Sequence, residues 1–416
     1  MKFFTWMTIV MMVPMVMFPS LCLAVDAVTH EDVLRVNPAL SLRDVLDATI
    51  KHRPQQAQLQ SQQYDIQSKQ ALANSLFPQS PAISLYHQND ALGSGRNEQD
   101  FQAELELPLW LNNQRSARLK VAEMSAKHYE ASQAGLAIQA AGLLRDALWE
   151  IALRKNTLLL SEAKHENAMA LQEKVNRSVL AGESAKTDLL LAQQETLLAA
   201  KNSLLAEAEV MHARFRYKLL TGLDDLPKDF AEEKSQLTSF EDSPAWLEML
   251  TKVQYAEQSR QLAQIEKKEN MQVLINARSS QGAFDMQYNQ SMGVRVRIPL
   301  NIAARTAPVT AVAEMRLGDA QSERDLLSNA LEAALHEADH NLEVSEQELV
   351  IAEQHHAIAK ESLRLAEKAY ALGEHDLATL IRIKSQAFDA ERSYRAMQLQ
   401  RQWNIARYNQ AVGVLP

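Results

Sequence analysis

The sequence holds a single cysteine, Cys22, and it falls inside an N-terminal stretch, residues 1–24, that reads as a cleaved export signal. Lys2 is the only charged residue before Ala24, Met7 to Phe18 form an apolar core, and Cys22-Leu23-Ala24 offers a small-x-small cleavage site. Leu21 stands where a lipobox needs a small residue, so cleavage after Ala24 without acylation of Cys22 is expected. The mature chain then has no thiol, which excludes disulfides and thiolate metal ligands. Aromatic residues are only 6% of the chain, with 11 Gly and 12 Pro in 416 residues. That scarcity speaks against a sheet-rich globular core. Together with abundant Ala, Leu, Gln and Glu, it points to long helices. Basic residues are short as well, 43 Lys and Arg against 52 Asp and Glu for a net charge of −9, which argues against nucleic acid as a partner.

Proline is missing from two long stretches. After Pro108 none occurs until Pro227, and after Pro308 none until Pro416. The two stretches are copies in outline, because the sequence aligns with itself at an offset of 191 residues without a gap. Pro108-Leu109 falls on Pro299-Leu300 (299 − 108 = 191), Val121-Ala122-Glu123-Met124 on Val312-Ala313-Glu314-Met315, Gly182-Glu183 on Gly373-Glu374, and Gly222 on Gly413. At this size the unit is a duplicated half-protein rather than a solenoid repeat of about 20–50 residues.

Within each stretch apolar residues recur every seven: Leu190, Leu197, Leu204 and Met211, with Leu191, Leu198 and Leu205 beside them, and then Leu335, Leu342, Leu349 and Leu363, with His356 on the missing beat. Such spacing predicts coiled-coil packing against a partner helix. Each stretch is interrupted once, at Leu180-Ala181-Gly182-Glu183-Ser184 and at Ala371-Leu372-Gly373-Glu374-His375, where Gly supplies the left-handed turn that ends a helix. Two helical hairpins follow, each with a rod from the strand end to the tip on the order of 100 Å long.

Before each rod the period changes to two. Phe101, Ala103, Leu105 and Leu107 alternate with Gln102, Glu104 and Glu106. Met292, Val294, Val296 and Ile298 alternate with Gly293, Arg295 and Arg297. Upstream strands and polar loops complete two β-hairpins, about 82–107 and 271–298. The alternation fits a membrane barrel strand and a soluble half-buried hairpin equally, and the export signal and the rods favour the first. Four strands cannot close a barrel, and an open edge is not viable in lipid, so the membrane reading requires several copies. A shorter helical run precedes each hairpin, from Ser41 to about Leu76 and from Pro244 to about Asn270. The expected division is 1–24 signal, 25–222 first repeat with its tip near 180–184, 223–243 linker or equatorial segment, and 244–416 second repeat with its tip near 371–375.

Export signal, duplicated helix–hairpin–helix halves, two strands per half and a Gly-bearing tip resemble the TolC family of outer-membrane efflux proteins. The residues that carry the resemblance are Ser41-Leu42-Arg43-Asp44-Val45-Leu46-Asp47-Ala48, the junctions Glu106-Leu107-Pro108-Leu109 and Arg297-Ile298-Pro299-Leu300, and Tyr370-Ala371-Leu372-Gly373 followed by Leu380. The resemblance implies a mostly α fold with a small membrane β part. It implies a homotrimer with a 12-stranded barrel in outer-membrane lipid and an α-helical barrel across the periplasm of a Gram-negative bacterium. It further implies a passive exit duct, not an enzyme and without cofactor, whose tips meet a periplasmic adaptor (membrane fusion protein) bound to an inner-membrane RND-type pump. Chain length and the plain Pro-Leu junctions look most like the CzcC-like, heavy-metal branch. Drug efflux and type I secretion are alternatives on the same fold, and a soluble periplasmic coiled-coil or adaptor-like protein is the alternative of another class.

Candidate residues follow from this reading. Leu180, Gly182, Leu372 and Gly373 are the adaptor-docking tips. Glu183, Asp188, Glu374 and Asp376 are a candidate acidic gate, since rings of carboxylates favour cations. Glu104, Glu106, Arg295 and Arg297 are expected to face the lumen. One motif points elsewhere: His336-Glu337-Ala338-Asp339-His340 matches H-E-x-x-H, the zinc-hydrolase pattern. It lies inside a coiled-coil rod, its counterparts at the 191-residue offset are Arg145 and Trp149, and no third ligand or cleft accompanies it. The pair reads as a solvated helix face, as does His355-His356, with an adventitious metal-binding pair and a zinc hydrolase as the alternatives, and no metal ligand is assigned.

Overall fold

A computed structural model describes residues 34–300 and 302–416; the signal reading of residues 1–24, with Cys22, lies outside them. Two helical hairpins dominate. In the first, α3 (Gln114–Leu180) turns into α4 (Lys186–Thr221); in the second, α6 (Ala303–Ala371) turns into α7 (Leu377–Ala411). The rods α3 and α6 have 67 and 69 residues, about 100 Å each at 1.5 Å per residue. At both tips the chain closes a Schellman motif. Gly182 N–H donates to Val179 O and Glu183 N–H to Ser178 O; Gly373 N–H donates to Tyr370 O and Glu374 N–H to Ala369 O. Gly182 and Gly373 both sit at φ +76°, where a side chain would be strained.

The strands β2 (Ala82–Asn89), β3 (Gln99–Pro108), β5 (Gln272–Gln281) and β6 (Asn289–Arg297) form one antiparallel sheet in the order β2-β3-β5-β6. The helices repeat that order. Above the middle of the molecule, α2 (Gln55–Asn74) packs on α3, α3 on α5 (Pro244–Glu266), and α5 on α6. Below it, α4 packs on α3, α3 on α7, and α7 on α6. The chain is therefore a wall four elements wide at three levels, with β2, α2 and α4 on one flank and β6 and α6 on the other.

A belt crosses the wall at mid-height. Short strands β1 (Arg35–Asn37) and β4 (Asp225–Pro227) pair in parallel, and α1 (Leu42–His52), started by a capping box between Ser41 and Asp44, packs on α3 and α4. Leu34, Val45, Leu46, Leu144, Leu148, Tyr217 and Leu226 share the core under the belt. Each fully buried leucine there contributes about 1.5–3 kcal/mol.

Three details depart from the sequence reading. The first short helix breaks in two, because Pro54 holds Arg53 extended (φ −72°, ψ 132°) and ends α1 at His52. The strands β1 and β4 give no alternating signal, being three residues each. Within the first hairpin the seam between α3 and α4 is not the leucine stripe but an alanine stripe at the same spacing, Ala192, Ala199, Ala206 and Ala213. Ala199 is 1% exposed and Leu197 is 72% exposed. Small residues let the two rods approach closely, and that leaves the leucines facing away from the hairpin. In the second hairpin Leu342 is buried and Leu335, Leu349, His356 and Leu363 are half-buried, as the spacing predicts.

Candidate functional site

The sheet separates its side chains by chemistry. Residues opposite one another across the ladder share a face. One face carries Ile83, Leu85, Phe101, Ala103, Leu105, Leu107, Val273, Ile275, Met292, Val294 and Val296; the other carries Glu104, Glu106, Asn276, Arg278, Arg295 and Arg297. The apolar face is open along its length. On the polar face Arg295 reaches Glu104 at 3.7 Å and Arg297 donates to Gln272 at 3.5 Å, so the opposite charges expected to share a face do so, and one pair touches. Gly293 stands where a Cβ would meet Asn276 Oδ1 at 2.5 Å, so the polar side chain of β5 uses the space. No described helix is long and apolar enough to cross a membrane.

The strand-to-rod junctions differ between halves. In the first, Leu109 N–H donates to Met271 O at 2.7 Å, Asn270 Nδ2 donates to Leu109 O at 2.8 Å and to Gln114 Oε1 at 2.7 Å, and Arg118 pairs with Glu266 at 2.5 Å. In the second, Ile298, Leu300 and Ile302 are exposed. The polar network binds the first half to the second; the apolar trio lies on the open flank.

The belt is fastened from both halves. Arg145, buried in α3, forms a two-pronged ion pair with Glu232 (2.8 and 2.6 Å) and donates to Gln410 Oε1 at 2.6 Å and Val414 O at 2.9 Å. Trp149 packs edge-on against Phe230 at 4.9 Å. Tyr217 and Tyr408, equivalent at the 191-residue offset, donate their hydroxyls to Asp225 O (2.9 Å) and Leu237 O (2.8 Å). Burial raises the Tyr217 hydroxyl well above the usual tyrosine range, so it stays a donor. In the sequence Arg145 has no role beyond that of counterpart to His336; an Arg set between Leu144 and Leu148-Trp149 is the signal that points to it.

The tips stand side by side. Val175, Ala192 and Leu377 share a small core that includes Tyr370, and Lys174 lies 5.9 Å over the Tyr370 ring. Burial and then the nearby Asp188 raise the Tyr370 hydroxyl. Leu180 and Leu372 are exposed, and nothing approaches a Cβ built on Gly182 or Gly373 within 4 Å, so the four tip positions lie open to a partner. Among the four acids, Asp376 caps α7, accepting from Thr379 N–H at 2.9 Å. Hydrogen bonds from Thr379, side chain first and then backbone, hold its carboxyl below the usual range. Asp188 sits in the first turn of α4, where the helix dipole favours an acid.

His336 and His340 are exposed on α6, rings parallel with centroids 6.4 Å apart, and Asp339 pairs with Lys234 of the belt at 3.1 Å. Among the described residues no group of three His, Cys, Asp or Glu side chains could hold a metal ion. The third ligand a zinc hydrolase needs is therefore absent there.

The wall, with its open flanks and two-faced sheet, matches solved structures. The Campylobacter jejuni CmeC outer membrane channel superposes with a TM-score of 0.72 at 11% identity, over 89% of this chain and 85% of that one. The outer membrane protein VceC of Vibrio cholerae gives 0.73 at 13% identity, over 89% and 96%. The open state of the MtrE outer membrane channel of Neisseria gonorrhoeae gives 0.68 at 14% identity, over 97% and 98%. This chain has their fold. No family model and no curated protein matches the sequence.

Proposed function

We propose that three copies of this chain close into a passive outer-membrane efflux duct of the TolC family. The observation that supports it best is the continuous pair of flanks. The sheet ends in unpaired strands, β2 and β6, and directly below them α2, α4 and α6 end in exposed apolar residues. Unpaired backbone groups in lipid cost several kcal/mol each, so such a sheet is stable in a membrane only when one copy's β2 pairs with the next copy's β6. Joining two different edges is a heterologous contact, which gives a ring where the rotation between copies closes, as this reading requires. The apolar face of the sheet then meets lipid, and the polar face with Glu104, Glu106, Arg295 and Arg297 lines the pore. The likeness to outer-membrane channels over nearly the whole chain supports the same reading.

In this duct the tips, with Leu180, Gly182, Leu372 and Gly373, receive a periplasmic adaptor joined to an inner-membrane RND-type pump, and the acids Glu183, Asp188, Glu374 and Asp376 set a cation preference at the mouth. Heavy-metal cations are the proposed cargo, supported by the plain Pro-Leu junctions and the chain length. The test is reconstitution of the detergent-extracted protein in a planar bilayer. Stable single-channel conductance is expected, with cation preference reduced by Glu374→Gln plus Asp376→Asn. A water-soluble protein without conductance contradicts the duct, and an unchanged preference discards the gate. Metal sensitivity of a deletion strain tests the cargo. Leu372→Asp should abolish resistance while leaving the assembly intact.

A further inference from the structure

The polar face of the sheet sorts its charges by strand. On that face β3 presents Asp100, Gln102, Glu104 and Glu106, and the residues across from them on β5 are Ser280, Arg278, Asn276 and Leu274. Continuing the same rows, β6 presents Asn289, Ser291, Gly293 and Arg295, with Arg297 one row lower. All three acids stand on β3, and all three arginines stand on β5 and β6. The fourth strand, β2, brings Gln88, Tyr86, Ser84 and Ala82 to this face, none of them charged.

The two signs also differ in depth. The side chains of Glu104 and Asp100 are 14% and 21% exposed, whereas those of Arg295 and Arg278 are 64% and 51% exposed. Glu106 is half-buried and Arg297 is exposed. Arg278 grips Asp100 through two contacts of 2.9 Å, and Arg295 stands 3.7 Å from Glu104. Arg297 donates to the neutral Gln272 and has no acidic partner among the described residues. The longer arginine side chains carry their charge past the shorter acids, so guanidinium is the outermost charge on this face. Ring closure leaves it so. The strand that pairs with β6 in the ring is the next copy's β2, which adds no acid.

We propose that Arg278, Arg295 and Arg297 make the sheet an anion-preferring segment of the duct, opposite in sign to the acids at the tips. The proposal rests on the ring closure argued above and adds a second determinant of what passes. Arg278 lies across from Ser291, six residues from Arg297 (297 − 291 = 6), so the segment runs about 20 Å along the strands. Rings of arginine in a pore wall favour anions, and low-dielectric surroundings focus their field. Each guanidinium also offers a planar fork to a carboxylate or phosphate group. Solutes that carry such a group are drawn to this wall. Small cations cross against its field, which limits the cation preference that the tips impose.

The test measures reversal potentials of single channels of the full-length protein in a KCl gradient. Arg278→Gln, Arg295→Gln and Arg297→Gln together should raise the permeability of K+ relative to Cl− by at least about twofold. Lysine at the same three positions should hold the ratio near wild type, and a shift as large as that of the Gln variant counts against a role for the charge. A larger shift from Glu104→Gln plus Glu106→Gln overturns the proposal, because the acids are then the charge that the pore presents. Should the triple variant insert poorly, Arg297→Gln alone decides, since it breaks no ion pair and should move the ratio the same way. An unchanged ratio in conducting channels overturns the filter while the duct stands. A wild-type protein without conductance removes the duct and the filter together.

Discussion

Arg145 and His336 hold the same place in the two halves, 191 residues apart, as do Trp149 and His340. In α3 that pair is used inward: Arg145 is buried against Glu232, Gln410 and the Val414 carbonyl, and Trp149 against Phe230. In α6 the corresponding pair is exposed. The rods have the same register and nearly the same length, but α3 has neighbours on both flanks and α6 on one. Duplication fixed the length of the rods. Position in the wall decided which side chains could be buried: the counterparts of Arg145 and Trp149 lie on an edge, while Tyr408, the counterpart of Tyr217, stays buried under the belt.

The sharpest way to break this comparison is to remove both residues in turn. Arg145→Ala leaves Glu232 buried without its partner and should cost about 3–5 kcal/mol, with residues 228–243 becoming protease-sensitive. His336→Ala should stay within about 0.5 kcal/mol by the same thermal melt. Equal losses would mean that α6 is packed as α3 is. A second contrast sets seam against edge on one helix. Ala199→Asp should break the α3–α4 hairpin and lower helix content, whereas Leu197→Asp should leave circular dichroism unchanged and shift light scattering toward monomer.

Smaller effects test where the halves agree. Gly182→Ala and Gly373→Ala should each cost about 1 kcal/mol, and equally, because both sit at φ +76° with open space around them. Unequal losses in matched melts would show that the two tips are not built alike. Weakest is a pH step at one tip only. The carboxyl of Asp376 is depressed by Thr379, so its capping is fully present above the unfolded carboxylate pKa and is lost as pH falls through the lower folded value. Amide exchange at residues 377–380 should rise there. Residues 186–189 should show no matching step, since Ala185 has no side-chain cap.

Much of this architecture was legible in the sequence because its signals are periodic and long. Sevenfold spacing, alternation and the fixed offset place four rods, four strands and two tips. The belt was not, since β1 and β4 are too short to alternate and Arg145 acts through residues 87 and 265 positions away. The leucine stripe of α4 faces away from its hairpin for a plain reason. Periodicity says that a helix has an apolar stripe, but not which neighbour covers it, and in α4 alanine at the same period took the inner seam. The charges of the sheet's polar face were legible as a shared face, while the contact between Arg295 and Glu104 depended on β5 lying between their strands.

The flanks are the part of the account most open to direct trial, and the chain suits it, since its only cysteine lies in residues 1–24. In a double variant with Leu197→Cys and Ile358→Cys, oxidation of the membrane-extracted protein should produce a ladder of covalent species that ends at three chains. Failure to cross-link between chains, or a ladder that runs past three without limit, would contradict the claim that one copy is a third of a closed wall.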